Sequence, residues 1–420
     1  MYDWANSVYN LVITTTFFPI YFLAVTDNGI DHHVQFLGRQ FVNSSLYDYI
    51  LAASYLLIAI SYPILTSIAD TRGNKKNFMR FFCYMGAIGS SSLFFFKSDT
   101  LGLGVIAFML AAMGYVGSLV FYNAYLPEIA APKDQDRISA RGYSFGYIGS
   151  VIMQIVGFLL VMFMPDQGMA TRITFLVVGI WWFSFAQITF ARLPDSASKE
   201  KKGGNIFQDG FIEIKKVYNQ VKDMPVLKRF LRGFFFYSMG VQTVMLAATI
   251  FGSKLLKLPD TNLIITVVII QLVAILGAWG MSRLSTRFGN IKVLMGVILF
   301  WIVICVLAYY TAVIAESGVS AEYYFYGLAV LVGLVMGGIQ ALSRSTYSKL
   351  MPPTKDTTAF FSYYDFTEKI AIVIGIFTFG YIEELTGSMK NSVLSLIIFF
   401  AIGFLWLYSA LYKATRSQRI

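Results

Sequence analysis

Three residues in the last quarter of the chain carry its most demanding chemistry. Asp365, Glu368 and Lys369 lie within five positions, in a run from Phe360 to Ile382 otherwise rich in Ile, Val, Phe and Gly. At helical spacing they fall on one side. Lys369 is nine residues into that run, which at 1.5 Å per residue is roughly 13–14 Å deep. That approaches the middle of a hydrocarbon core roughly 30 Å thick. One unpaired charge at that depth costs about 2.5–3.5 kcal/mol even on lenient insertion scales. Two acids and one base leave one net negative charge, and a proton on one carboxyl removes it. Burial favours the protonated carboxyl, whereas a neighbouring ammonium favours the carboxylate. The cluster is therefore expected to couple to protons, with Glu368, the deeper acid, sharing a proton equilibrium with Asp365 and Lys369. The competing reading is a static internal ion pair, with Asp365 reaching to the membrane edge.

A second polar stripe opens the chain. Asp3, Asn6, Asn10 and Thr14 are spaced three, four and four residues apart, which puts them on one helix face. Asn123, Gln242, Gln271 and Gln340 stand in other apolar runs. Amides donate and accept together and suit a small polar solute, although Asn and Gln also join membrane helices to one another. We expect Asp3, Asn6, Asn10, Asn123, Gln242, Gln340 and Lys369 to line a solute site. Lys369 would take a carboxylate, and Asp3, Asp365 or Glu368 an ammonium.

The elements that must hold these groups follow from composition. Of 420 residues, 57% are hydrophobic and only 13% charged, about half the charge of an ordinary soluble domain. Disorder, coiled coil and a water-soluble enzyme are excluded on that ground. Apolar runs fall at about 4–25, 46–69, 78–96, 101–126, 138–164 and 173–190, then 230–251, 262–284, 291–315, 323–342, 360–382 and 392–411. Each is long enough for one membrane crossing. The expected fold is all-α: twelve transmembrane helices, as a bundle of six over 1–192, a cytoplasmic linker over 193–229 and a second six over 230–420. Pro19 and Pro63 lie inside the first two runs, where neighbours must satisfy the carbonyl that each frees.

Lys and Arg set the orientation. Of 33, 26 fall on one side of this topology and six on the other, with Lys369 inside a span. Both termini are thus expected in the cytoplasm, and this bias accounts for the net charge of +10. No recognition module for nucleic acid accompanies it. The linker turns periodic at Phe207, Phe211, Ile214, Val217, Val221 and Met224, with Lys215, Lys216 and Lys222 on other faces, the pattern of an interfacial amphipathic helix on the membrane lipids. Cys83 and Cys305 sit inside apolar runs, so no disulfide or metal site is expected, and no cofactor. His32 and His33 are adjacent and read as solvated. No basic region precedes the first run, so no cleavable signal peptide is expected.

Two echoes relate the halves. Thr71-Arg72-Gly73-Asn74-Lys75-Lys76, after the second run, matches Arg287-Phe288-Gly289-Asn290-Ile291-Lys292, after the eighth, 216 positions on. Lys133-Asp134 matches Lys355-Asp356 after a shift of 222. Halves repeated in this way share one orientation, the parallel repeat of rocking transporters.

The loop Asp70-Thr71-Arg72-Gly73-Asn74-Lys75-Lys76 resembles the D-R-x-G-R-R signature of the major facilitator superfamily, with Thr71 and Asn74 replacing basic residues. The resemblance implies a cytoplasmic gate, with Asp70, Arg72, Gly73, Lys76, Arg141 and Arg344 as its residues and the latch in the first copy. A narrower likeness begins at Tyr2-Asp3-Trp4-Ala5-Asn6-Ser7. It continues through Tyr122-Asn123-Ala124-Tyr125-Leu126-Pro127-Glu128, Ser139-Ala140-Arg141-Gly142, Gly146-Tyr147-Ile148-Gly149 and Gly337-Gly338-Ile339-Gln340-Ala341-Leu342-Ser343-Arg344-Ser345, with Phe360-Phe361 and Lys369. These resemble the vacuolar-effluxer-like family of major facilitators, over essentially the whole chain. Gly375-Ile376 stands where that family has Gly-Pro.

A secondary transporter working by alternating access and coupled to protons through the acid cluster above is expected, and the resemblance implies that it moves amino acids or similar zwitterions outward. A monomer in a bacterial cytoplasmic membrane is expected, with the solute and protons as partners. The abundance of Phe and Met leaves open an exporter of amphiphiles or drugs. An enzyme would need a nucleophile–base pair or ligands at depth, and no such motif is present. A channel would want rings of like residues.

Overall fold

The computed structural model describes residues 1–27, 29, 33–72, 75–195, 206–354 and 356–417. Thirteen long helices account for most of them. They are α1 (Tyr2–Thr26), α2 (Asn43–Arg72), α3 (Lys75–Ser92), α4 (Leu101–Asn123), α5 (Gln135–Phe163), α6 (Gln167–Arg192) and α7 (Ile206–Asp223). After them come α8 (Pro225–Ile250), α9 (Asp260–Phe288), α10 (Asn290–Glu316), α11 (Glu322–Leu350), α12 (Thr357–Thr386) and α13 (Met389–Ser417). Each of the twelve expected spans falls on one of these helices, and α7 is the periodic part of the linker. By length and composition, eight described helices can cross a membrane alone: α1, α4, α5, α6, α9, α10, α11 and α13.

The chain divides into two compact units. One holds Met1–Ala124 and Phe145–Phe211, the other Tyr125–Ser144 and Ile212–Ile420. Residues 125–144, which end the fourth expected span and begin the fifth, pack with the second unit. The boundary therefore falls inside α5.

In the first unit, α1 is not a plain α-helix. Tyr9–Phe17 forms a wider π-helical stretch, and the Phe18 N–H reaches back five residues to the Ile13 carbonyl. Under that pattern the next residue, Pro19, would bond to the Thr14 carbonyl, but proline has no N–H to give. The Tyr47 hydroxyl donates to that carbonyl at 2.9 Å, so a neighbouring helix satisfies what Pro19 leaves open. The Leu11 carbonyl serves the same stretch, accepting from Thr15 Oγ1 (2.8 Å), Thr16 Oγ1 (2.8 Å) and Gln154 Nε2 (2.9 Å). Aromatic packing fixes α1 in place: the Phe18 ring lies parallel to that of Phe108, with centroids 4.1 Å apart.

Between α1 and α2 runs a hairpin of β1 (His33–Phe36) and β2 (Arg39–Val42), antiparallel, with His33 opposite Val42. Leu37 and Gly38 turn it with φ of 48° and 76°, both positive as a two-residue hairpin of this hand requires.

In the second unit, α9 and α11 cross at backbone contact. A Cβ on Gly277 would lie 2.1 Å from the Leu334 carbonyl oxygen, and one on Gly337 would lie 2.2 Å from that of Ala274. This gives a packing reason for the Gly337-Gly338 pair. Small residues allow helices in lipid to approach until dispersion and weak hydrogen bonds hold them. Gly337→Val should force the pair apart and lower stability by about 1–3 kcal/mol, read as a lower unfolding temperature in detergent. Gly280→Ala, where an added Cβ meets nothing within 4 Å, should leave that temperature unchanged.

Candidate functional site

The three ionisable groups foreseen at depth sit on α12 and meet α8. Lys369 Nζ donates to Glu368 Oε2 at 3.0 Å, and Gln242 Nε2, from α8, donates to Glu368 Oε1 at 3.1 Å. Each Glu368 oxygen thus has its own donor. Asp365, one turn earlier, is 3% exposed and Lys369 is 8% exposed. Gln340 Nε2 lies 3.4 Å from the Met245 sulfur.

Aromatic side chains build the wall behind these groups. Tyr364 stacks on Phe234 of α8 at 4.3 Å and packs against Tyr347 of α11 at 4.8 Å. The Tyr347 hydroxyl donates to the Phe360 carbonyl at 2.5 Å. The Tyr237 hydroxyl meets Ser343 Oγ at 2.7 Å. All these groups lie in the second unit, between the helices α8, α11 and α12.

In the first unit, Asp3 and Asn6 are buried, and Asn10 is half-buried in the π-helical stretch of α1. Tyr122, from the end of α4, donates its hydroxyl to Asp3 Oδ2. Asn123, beside it, is buried too. Asn6 Nδ2 is buried with no partner among the described residues. The Gly146 and Gly149 backbone lets α5 lie against α1, since a Cβ at Gly146 would be 2.4 Å from Ser7 Oγ and one at Gly149 3.0 Å from the Trp4 carbonyl oxygen. That carbonyl also accepts from Trp181 Nε1 at 3.0 Å. The polar stripe read from the sequence is thus an interior face.

Of the gate residues, Gly73 and the side chains of Asp70 and Arg72 lie outside the described residues, as do His32, Lys355 and the side chains of Phe207, Phe211 and Ile214. Lys76 bonds within its own half, to the Leu193 carbonyl at 2.9 Å and Asp195 at 3.1 Å. Arg141 is exposed. Arg344 is 3% exposed. Its Nε donates to Ser139 Oγ at 2.9 Å and an Nη to the Ser139 carbonyl at 3.1 Å, and its guanidinium lies 4.5 Å from the Tyr143 ring centroid. Ser139 Oγ donates in turn to the Ala341 carbonyl at 2.8 Å.

The residue at the centre of this network is one the sequence reading passed over. Asp136 stands in the first turn of α5 and is 1% exposed. It accepts from Ser285 Oγ at 2.7 Å, Asn290 Nδ2 at 2.7 Å and Lys349 Nζ at 2.6 Å. Its partners come from α9, α10 and α11, about 150 to 210 positions on. Asn290 belongs to the second copy of the signature loop. Gly289, with φ of 84°, lets α9 stop and α10 begin with no linker between them, and this turn presents Asn290. Of the two copies of the loop, the second thus supplies Asn290 to this network. Glu128 adds a further bond, accepting from Thr357 Oγ1 at 2.7 Å at the start of α12.

The comparisons with known proteins follow this geometry. A family model described as vacuole effluxer Atg22 like matches residues 1–419. The chain belongs to that family. It is 32% identical to the MFS-type transporter YxiO of Bacillus subtilis over 96% of this chain and 91% of that protein. It is 27% identical to autophagy-related protein 22 of Kluyveromyces lactis, over 87% of this chain and 80% of that one. Among solved structures, the human organic anion transporter MFSD10 (TETRAN) superposes with a TM-score of 0.71 at 13% identity, covering 97% and 98% of the two chains. The proton:xylose symporter XylE gives 0.69 at 13% identity, over 97% and 92%. The fold is that of the major facilitator superfamily, and this Atg22-like protein is an integral membrane transporter.

In this family member, Asp136 and Lys349 form the charged core of the buried network. Asp136→Ala leaves Lys349, Ser285 and Asn290 without their shared acceptor. It should cost about 2–3 kcal/mol, the range for hydrogen bonds to a charged group, read from denaturant unfolding in micelles. Asp136→Ala and Lys349→Ala together should cost less than the sum of the two single changes, because the pair is coupled.

Proposed function

We propose that this chain exports a small zwitterionic solute, such as an amino acid, by alternating access and in exchange for protons. It acts as a monomer in a bacterial cytoplasmic membrane, with both termini inside. The observation that carries this reading is the cluster Lys369, Glu368, Gln242 and Asp365 on α8 and α12. A zwitterion needs a cation for its carboxylate and an acid for its ammonium. This cluster offers both, with an amide beside them. Asp3, Asn6, Asn10 and Asn123, on the interior face of α1 and the end of α4, are the polar groups proposed for the solute in the first unit.

Charge arithmetic supports the coupling. Asp365, Glu368 and Lys369 are two acids and one base, which leave one net negative charge when all ionise. A proton shared within the cluster removes that charge from a low-dielectric interior. When water reaches the cluster the carboxylate is solvated and the proton leaves. A solute carboxylate competing for Lys369 would raise the proton affinity of the cluster, so solute and proton are linked in one cycle.

The Asp136 and Arg344 network is proposed as the cytoplasmic gate. Asp70, Arg72 and Gly73 are proposed as its counterpart in the first copy of the loop. Opening that side must break the buried bonds of Asp136 and Ser139, so the gate controls rate and state rather than contact with solute.

The test is transport in proteoliposomes with and without a pH gradient. Asp365→Asn and Glu368→Gln each fix one acid in its neutral form. The acid that trades the proton should lose uptake driven by the gradient yet keep exchange of solute between equal solutions. Lys369→Ala should damage both, because it strands two buried acids and removes the anion partner. Uphill transport driven by the gradient in both acid variants would make the cluster structural and put the coupling ion elsewhere.

A further inference from the structure

One face of α9 carries a column of side chains that the transport cycle above does not use. Leu272, Leu276, Trp279, Arg283 and Arg287 are all exposed. They are spaced four, three, four and four residues apart, which puts them on one side of the helix. Gln271, Ala274, Ala278, Ser282 and Ser285 are buried on another. The helix is apolar and long enough to cross a membrane, so its exposed side meets lipid. The column is also graded along its length. The leucines lie toward the middle of α9, the tryptophan comes next, and the arginines stand near its end. Tryptophan prefers the level of the lipid headgroups, and the arginines therefore reach the level of the phosphates.

Both guanidiniums lie on aromatic rings. Arg283 is 3.8 Å from the Trp279 ring centroid, and Arg287 is 5.4 Å from that of Phe288. Stacking holds a cation in place but leaves its charge and its outer N–H groups to be met. Among the described residues neither arginine is in an ion pair. The sequence explains why. The only acids of α9 and α10 are Asp260, at the start of α9, and Glu316, at the end of α10. The two helices join at Gly289, so both acids stand at the far end of the hairpin from the arginines. Two like charges one turn apart repel each other, and a shared counter-anion turns that repulsion into attraction.

We propose that this column is a binding site for one anionic phospholipid. Arg283 and Arg287 hold the phosphate, and one acyl chain runs along Leu276 and Leu272. A guanidinium presents paired N–H groups that match the oxygens of a phosphate. From Arg283 back to Leu272 the helix rises roughly 16 Å. Half of a hydrocarbon core roughly 30 Å thick is about 15 Å, so the column has the length of one leaflet. A free phosphate would use the arginines and gain nothing from the leucines. On the packed side of the same turns, Ser285 donates to Asp136. The bound lipid thus braces the helix end that supplies this donor.

Thermal unfolding of the delipidated protein in dodecyl maltoside micelles tests this, with dioleoylphosphatidylglycerol as the probe. Wild type should unfold at a higher temperature as this lipid is added. It should respond neither to dioleoylphosphatidylcholine nor to sodium phosphate. Arg283→Gln with Arg287→Gln should raise the half-saturating lipid concentration about thirtyfold, the scale of two basic residues at an anionic surface. Trp279→Leu should raise it about two- to fivefold, the scale of an exposed cation–π contact. Lys222→Gln with Arg416→Gln, at two exposed cations elsewhere, removes the same charge and should leave it unchanged. A double arginine variant that titrates like wild type, or a control pair that weakens the lipid equally, overturns the proposal. So does a wild type that phosphatidylcholine or phosphate stabilises as well, or that phosphatidylglycerol does not stabilise.

Discussion

The lipid interior offers no water to a polar group, and most of this structure answers to that one constraint. A backbone carbonyl or a charge placed at depth must be met by another part of the chain. The Thr14 carbonyl shows it at the scale of one atom. The π-helical stretch and Pro19 together leave that oxygen with nothing from its own helix, and Tyr47 supplies the donor. Lys369 shows it at the scale of a charge, held by a carboxylate that Gln242 steadies from the opposite helix. In each case the partner comes from another element, so satisfying a local defect also fixes how helices pack.

The same rule gives the α5 N-terminus its importance. A carboxylate as buried as Asp136 cannot be left without partners, and its three donors come from three helices of the second unit. Ala140 packs nearby with Ala278 and Ala341, small enough to let these backbones come together. Further along, α5 belongs to the first unit, packed on α1 through Gly146 and Gly149. Water can replace the hydrogen bonds of Asp136 and Ser139, whereas it offers nothing to the tight Ser7–Gly146 approach.

How much of this was readable from the sequence depends on the range of the interaction. The spans follow from runs of apolar residues, a local property, and each expected run is a helix. The charges on α12 and the polar face of α1 were readable for the same reason, since positions three and four apart on a helix meet wherever the helix goes. Asp136 was not. It sits in Lys133-Asp134-Gln135-Asp136-Arg137, which reads as an ordinary charged loop, and nothing in that stretch points to Ser285, Asn290 or Lys349. Arg344 was singled out by its motif, but its partner Ser139 was seen only as part of another motif. In the first copy of the signature loop, where the gate was expected, Gly73 and the side chains of Asp70 and Arg72 lie outside the described residues. The second copy, which has Thr286 in place of the acid, supplies Asn290 to the Asp136 network. What an amide contributes there is a donor to a carboxylate on a distant helix, and that pairing is a property of the tertiary fold.

The geometry of the α12 cluster bears on why such a site can change partners. Neighbouring residues on a helix point about 100° apart and do not face each other, so the Lys369–Glu368 bond depends on two long side chains curling toward one another. Asp365 lies four residues before Lys369, the spacing at which a carboxylate and an ammonium meet without distortion. The ammonium therefore has two acids within its reach on its own helix, one before it and one beside it, and neither demands a backbone movement. Asp136, with donors from three helices, changes partners only when those helices part from it. A lysine on a flexible stem, with two acids nearby and an amide steadying one of them, can change its partner by rotating bonds within one side chain. Exchange at Asp136 thus requires helices to move, whereas exchange at Lys369 requires only side-chain rotation.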